Sequence, residues 1–310
     1  MQNLKSADYR PTFSGHETFP LRYGWLQKAY RAVDKAESPK AAVHTFRDLD
    51  SIARFGVGRN MVGAIRYWAT ATGVLEETSE GLETTWLGKM LFGKDGIDPY
   101  LEEESSLWLL HWHIVARPRL TSAFWLFNEY GGGSFLRKDI KERLLKLADE
   151  CGWKRVADTT VDRDLQCLLR TYIGGRGSNE AGESILSELG LIHPIDTTRS
   201  RFSRGHKPNL PDAVFLYCLI EFWKKFSPNQ NTMSFESVAY EPRSPGRAFL
   251  LNEIDIIERL ERLEDVSGGT LAWSETAGLR QIIRQSTRIM ELKHHALRKA
   301  LICRRLQVAA

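Results

Sequence analysis

Two short polar constellations carry residue types that could cut a phosphodiester. Ser14-Gly15-His16-Glu17 sets an imidazole beside a carboxylate in a compact turn, which makes His16 and Glu17 candidates for proton transfer. Asp98, Glu102, Glu103 and Glu104 bring four carboxylates into one connector, enough to hold Mg2+ if they converge. His16, Glu17, Asp98 and Glu102 are therefore the catalytic candidates, and Mg2+ the candidate cofactor. The same residues also read as a capping turn and a surface acidic loop. Other patterns fail on spacing. Glu221 and Lys224 stand as E-x-x-K where a restriction-type core beside Asp212 would need E-x-K, and the segment reads as helix. His206-Lys207 with Asp212 is not an H-x-K repeat. His111 and His113 lie two residues apart in a tryptophan-rich helix, on different faces, as satisfied core histidines do. The glycine-rich loop Gly174 to Gly182 lacks the phosphate-loop spacing. Cys167, off the apolar arc of its helix, is the one cysteine placed to relay sulfur.

A second group of residues suits contact with nucleic acid. Arg59 to Thr72 reads as a helix, with Met61, Val62, Ile65, Trp68 and Ala69 on one face. Asn60, Gly63, Tyr67 and Thr70 share the other face, and Arg59 and Arg66 flank it. A short helix capped by Asp48 or Asp50 precedes this helix, and Gly56-Val57-Gly58 breaks between them. Two strand-like runs, Val74 to Glu77 and Leu82 to Trp86, follow around a Glu80-Gly81 turn. Helix, turn, helix, hairpin is the order of a winged helix-turn-helix, whose second helix enters the major groove. Arg59, Asn60, Arg66 and Tyr67 are the groove candidates. Thr159 or Thr160 caps a further helix to Ile173, in which Arg163, Gln166 and Arg170 share an outer face. That face reads equally as a recognition surface and as a solvated one.

Charge points the same way. The chain carries +4, yet Arg284 to Arg305 has seven bases and one acid. A second patch holds Arg199, Arg201, Arg204 and Lys207 with no acid between Thr197 and Pro211. Basic patches on a near-neutral body suit a polyanion. Arg201, Arg204, Lys207, Arg298, Lys299, Arg304 and Arg305 join the DNA-contact candidates, with double-stranded DNA as the partner.

These residues need a scaffold, and the composition supplies one. With 310 residues and 42% hydrophobic content, the chain can build about two packed domains. The fold class expected is mainly α, with winged helix-turn-helix modules and short β-hairpin wings. Residues 1–130 form the expected N-terminal winged domain. Residues 131–310 form a C-terminal helical domain, with a second wing near Leu271 to Ile283 and a basic helix from Thr287 to Leu306. Ser105 to Val115 and Leu210 to Phe226 are apolar nearly all round and must be buried. Asn252 caps a helix running to Asp265. No fixed-period repeat is apparent. The longest apolar run, Ala213 to Ile220, is far short of the roughly 20 residues a membrane helix needs. Four scattered cysteines without a C-x-x-C pair exclude a zinc ribbon and fit a reducing cytoplasm.

Four blocks carry a resemblance: F-S-G-H-E-T-F-P-L-R-Y-G-W-L (Phe13 to Leu26), G-V-G-R-N-M-V-G-A-I-R-Y-W (Gly56 to Trp68), D-P-Y-L-E with L-W-L-L-H-W (Asp98 to Trp112), and S-P-G-R-A-F (Ser244 to Phe249). In content and order they resemble domain of unknown function 4007, over nearly the whole chain. The resemblance implies the DNA-nicking component of a DNA phosphorothioation system in bacterial anti-phage defence. Such a component works beside a cysteine desulfurase, an ATPase and a sulfurtransferase related to phosphoadenosine phosphosulfate reductase, and could itself form a homo-oligomer. No catalytic residue is carried over. The alternative is a non-enzymatic DNA-binding adaptor that recruits the sulfur-transfer enzymes. A sulfur relay through Cys167 is the third reading.

Overall fold

In the computed structural model the described residues are 4–174, 184–276, 278–286, 294, 297 and 298. Among them the chain is mainly helical, with three small antiparallel sheets. It divides into an N-terminal unit, residues 2–126 with 132–203, and a C-terminal unit, residues 127–131 with 204–310. The expected boundary at 130/131 differs from this. The helical pair after Gly133 clusters with the N-terminal elements, and the chain passes to the C-terminal unit at Arg204.

The N-terminal unit starts with α1 (Trp25–Asp34), α2 (Pro39–His44), α3 (Ser51–Phe55) and α4 (Arg59–Ala71). Ser38 caps α2 by accepting from the Ala41 amide at 3.1 Å, with Pro39 at the first helical position. The apolar stripe of α4 is buried as its spacing dictates: Val62, Ile65, Trp68 and Ala69 lie in the core. The Trp68 indole donates to the Phe19 carbonyl at 2.9 Å, so the polar atom of this buried ring is satisfied. The hairpin β1 (Leu75–Glu77) and β2 (Leu82–Thr84) follows, with Leu75 opposite Thr84. Thr85 then caps α5 (Trp86–Phe92) through the Gly88 amide at 3.0 Å. Every residue of α6 (Glu104–Val115) from Ser105 to Val115 is buried, as expected of a helix without a polar face.

After α7 (Thr121–Asn128), β3 (Ser134–Leu136) leads into α8 (Arg137–Glu150) and α9 (Asp158–Ile173). No side chain caps α9, which starts at Asp158 rather than behind Thr159 or Thr160. A 3-10 turn (Ile185–Leu189) precedes β4 (Ile192–Pro194) and β5 (Arg199–Phe202). The strand order is β3-β5-β4. Phe135 and Phe202 alternate inward on adjacent strands, and their rings meet at 5.2 Å.

The C-terminal unit repeats that order. A buried helix, α10 (Asp212–Phe226), precedes β6 (Thr232–Ser234), α11 (Phe235–Tyr240), α12 (Pro245–Ala248), α13 (Glu253–Glu261) and α14 (Leu263–Ser267). The hairpin β7 (Leu271–Thr276) and β8 (Leu279–Arg284) closes it, in the order β6-β8-β7. Asn252 caps α13 as expected, accepting from the Asp255 amide at 2.8 Å. The helix expected to run to Asp265 breaks at Arg262. In S-P-G-R-A-F, Ser244 caps α12, and Gly246 lets α12 lie against α11: a Cβ there would meet the Ala239 carbonyl oxygen at 2.5 Å. The repeat is one of topology, which is why no sequence period announced it. The basic helix expected from Thr287 lies outside the described residues except for His294, Leu297 and Arg298, as does most of the glycine-rich loop.

Trp68 is 1% exposed, so Trp68→Ala leaves a cavity in the core of the N-terminal unit. The expected loss is about 3–5 kcal/mol in a denaturant titration. A loss below about 1 kcal/mol would place this ring outside the core.

Candidate nucleic-acid face and cation cluster

The start of α4 is exposed, beside a 47–54 segment with two exposed arginines and two exposed aspartates, Asp48 and Asp50. Arg59, Asn60 and Gly63 are exposed, and Arg47 and Arg54 are exposed beside them. The Arg59 guanidinium donates to the Arg47 carbonyl at 3.2 Å and that of Arg54 to the Thr45 carbonyl at 2.7 Å, which gathers the charges at one end of the helix. Arg66 is half-buried and paired with Glu77 at 2.9 Å; the other Glu77 oxygen pairs with Arg119 at 3.1 Å. Arg66 is thus part of a local ion network rather than a free cation.

Tyr67, expected to face outward with Asn60, turns the other way. Its ring stands edge-on to the His16 ring at 5.6 Å. A Cβ on Gly15, which has φ +113°, would sit 2.5 Å from the Tyr67 ring. Only a residue without a side chain lets the loop close over the ring in that conformation. The Tyr67 hydroxyl is buried and makes no hydrogen bond among the described residues. Burial above all, then the nearby Asp164 and Cys167, pushes its pKa well above the usual phenol value.

The loop over Tyr67 is fixed by a buried carboxylate. His16 Nε2 meets Asp164 Oδ1 at 2.8 Å, and the Ser122 hydroxyl donates to Asp164 Oδ2. The Thr18 amide donates to His16 Nδ1 at 3.1 Å, so Nδ1 is the acceptor and Nε2 carries the hydrogen. With both nitrogens engaged and 3% exposure, His16 has no site left for a substrate proton. Glu17 is exposed, and its side chain lies beside Gly63 on the outer face of α4. The acidic connector behaves similarly. Asp98 is 4% exposed, and its two oxygens accept from the Glu102 amide at 2.9 Å and the Glu103 amide at 3.1 Å. It closes the loop that starts α6, while Glu102 is exposed. Asp98, Glu102, Glu103 and Glu104 supply no group of three convergent ligands among the described residues.

On α9, Arg163 and Gln166 are exposed and Arg170 is half-buried. Gln166 and Arg170 line a cleft of about 750 Å³ between the start of α8, α9 and the β4–β5 hairpin. Arg137, Lys138 and Lys141 line it too, with Asp162 and Asp196. Asp196 shapes the hairpin tip by accepting from the Thr198 and Arg199 amides at 2.8 and 2.7 Å, which lowers its pKa. Arg199 and Arg201 are exposed on β5. In the C-terminal unit Arg204 and Arg298 are exposed, whereas Lys207, expected in the phosphate patch, is 5% exposed. Burial lowers its ammonium to about 8, against the opposing pull of Asp255. Lys299, Arg304 and Arg305 lie outside the described residues.

One cluster escaped the sequence reading. His206 Nδ1 lies 2.8 Å from Asp255 Oδ1, and donor atoms of His206, Asp255 and Glu258 all lie within 4.8 Å of one another. Asp255 is buried; His206 and Glu258 are exposed. Arg259 builds this geometry from inside. It donates to Asp255 Oδ2 at 3.2 Å, to Asp212 at 2.9 Å, and to the Leu210 and Lys207 carbonyls at 2.8 Å each. The guanidinium thereby ties the loop 205–212 to α13 and sets His206 beside Asp255. One imidazole nitrogen and two carboxylates are a donor set that suits a divalent cation. Asp255 and Glu258 share a helix face at i,i+3, the only local signal; His206 is 49 residues away, and no spacing rule links them.

Mainly helical units with small antiparallel sheets, basic outer faces and a carboxylate–imidazole cluster define a class that the comparisons then narrow. Residues 13–301 match the family described as "Protein of unknown function (DUF4007)", and the chain belongs to it. Two solved structures are similar over nearly the full length. "Magnesium ion-bound SspB crystal structure" gives a TM-score of 0.85 at 29% identity, covering 97% of this chain and 90% of that one. "SspB crystal structure" gives 0.82 at 27% identity, covering 99% and 97%. The protein is SspB-like. No curated protein matches the chain.

Cys167 is 1% exposed rather than off the buried arc, and burial, then the Asp164 charge, pushes its thiol far above the usual range. A thiol is reactive as the thiolate, so Cys167 should resist iodoacetamide at pH 8 in the folded protein while half-buried Cys151 reacts. Peptide mapping reads this directly. Equal labelling of the two would show that Cys167 is accessible and would revive a sulfur relay.

Proposed function

We propose that this protein binds double-stranded DNA and nicks one strand within a phosphorothioation system of the Ssp type. The observation that carries the reading is the exposed start of α4, with Arg59 and Asn60, on an SspB-like fold. The strand–helices–hairpin orders around α8–α9 and α11–α14 support winged helix-turn-helix modules, since the strand order places the third strand between the other two in both. α3, α4 and the β1–β2 hairpin supply a shorter version. Arg59 and Asn60 approach base edges and phosphates, and Gly63 leaves room for the groove. Arg163, Arg170, Arg201, Arg204 and Arg298 add phosphate contacts. Arg66, held by Glu77, orients the hairpin instead.

Mg2+ belongs to this reading, and His206, Asp255 and Glu258 are the residues that would hold a divalent cation. A bound cation would supply a hydroxide nucleophile and offset charge on the phosphate. Of the carboxylate and imidazole candidates in the N-terminal unit, His16 and Asp98 hold loops, and Glu17 and Glu102 stay exposed carboxylates. The partners are double-stranded DNA and the sulfur-transfer and ATPase components, in a cytoplasmic protein able to self-associate. No helix among the described residues is long and apolar enough to cross a membrane. The second reading, a DNA-binding adaptor without cutting activity, draws on Asp98 being spent on backbone amides.

Two experiments test these readings. Supercoiled plasmid incubated with the protein should relax to open circles with Mg2+ and stay supercoiled with EDTA. DNA binding without relaxation under both conditions would favour the adaptor. Arg59→Ala and Asn60→Ala should change stability by no more than about 0.5 kcal/mol, being exposed, yet weaken duplex binding. A base-reading contact would also lose about 1–3 kcal/mol of discrimination at one position in competition on randomised duplexes. Wild-type binding by both variants would make α4 a scaffold.

A further inference from the structure

We propose that His206, Asp255 and Glu258 form a cation site that takes Mn2+ in preference to Mg2+. The inference deepens the cation part of the DNA-nicking reading, and its test does not depend on nicking.

The geometry is preorganised on one side and open on the other. Asp255 is fixed from three directions: its amide on Asn252, its Oδ2 on Arg259, and its position in the first turn of α13. Oδ1 is then the oxygen left to face His206 Nδ1, at 2.8 Å. That separation is a hydrogen bond when a proton lies between the two atoms. It is also close to the spacing of two adjacent donors around one ion, given metal–ligand distances of roughly 2.0–2.2 Å. A cation would therefore replace a shared proton with little movement of Asp255. The His206 side chain is 61% exposed and Glu258 is exposed, so the remaining coordination positions face solvent and can carry water or a phosphate oxygen.

The donor types decide which cation fits. Mg2+ demands oxygen ligands in near-ideal octahedral order and gives up water reluctantly. One of three donors here is an imidazole nitrogen, and one carboxylate is restricted to a single oxygen by Arg259. Mn2+ accepts carboxylate oxygen and tolerates imidazole nitrogen and irregular geometry better. Arg259 also offsets one negative charge, which lowers the purely electrostatic attraction on which Mg2+ relies and raises the weight of the nitrogen ligand.

Mn2+ binding to the full chain can be followed by the loss of the free-ion signal in electron paramagnetic resonance, with Mg2+ as competitor. The expected result is one site per chain, with Mg2+ needed in about tenfold excess or more to displace Mn2+. His206→Asn should weaken Mn2+ by about tenfold while changing Mg2+ far less, because it removes the ligand that Mg2+ uses least. Glu258→Gln should weaken both ions. His206 also pairs with buried Asp255, so circular dichroism melts of both variants are measured alongside, and a loss of binding in a variant folded at the assay temperature reports the site and not the fold. Asp255 is left intact because Arg259 depends on it. Mn2+ binding indifferent to both substitutions, or displaced by equimolar Mg2+, would overturn the proposal. Mn2+ binding with the expected ligand dependence but no open circles would uphold the site and sink the nicking reading. Mg2+-dependent nicking untouched by Glu258→Gln would do the reverse.

Discussion

A buried carboxylate organises the N-terminal unit. Asp164 sits inside α9, 5% exposed, and an unpaired charge there would cost several kcal/mol. His16 from the N-terminal loop and Ser122 from α7 satisfy its two oxygens. Three stretches far apart in sequence must therefore come together for the charge to be tolerable. The rest of the loop follows from that demand. Thr18 fixes the His16 tautomer, Gly15 admits the Tyr67 ring beneath, and Tyr67 faces inward, leaving Arg59 and Asn60 as the exposed polar end of α4. What the loop does for function is indirect: it sets the rotation and burial of the helix that we place against DNA.

The C-terminal unit uses the opposite charge for the same purpose. Arg259 is buried, and its donors reach two carboxylates and two carbonyls. A guanidinium with most of its donors engaged is among the few ways to bury a cation without a large penalty. Removing it would free the loop that carries His206 and separate the cation donors. In each unit one buried, hydrogen-bonded charge joins segments far apart in the chain.

The two strand–helices–hairpin sets share strand order but differ on their outer faces. The face of α9 carries Arg163, Gln166 and Arg170, whereas exposed positions of α13 include Glu253, Glu258 and Glu261. A basic face suits phosphates; an acidic one repels them unless a cation intervenes. The contrast accounts for a cation cluster on α13 and for phosphate-type contacts proposed on α4 and α9.

Helix periodicity was legible in the sequence. α4, α6 and α10 follow from apolar spacing, and Asn252 and Pro211 mark helix starts, because such signals are local and repeat within a few residues. The family blocks were legible as well, and within them Gly15, His16, Asp98, Ser244 and Gly246 each hold a loop or a close approach. The direction of Tyr67, the burial of Lys207 and Cys167, and the meeting of His206 with Asp255 and Glu258 depend on partners distant in sequence, 49 residues away in the case of His206 and Asp255. A residue's own neighbours in sequence fix its backbone. Whether its polar atoms face water, a buried charge or a cation is fixed by which distant segment supplies the compensating group, and only the folded chain brings that segment into place.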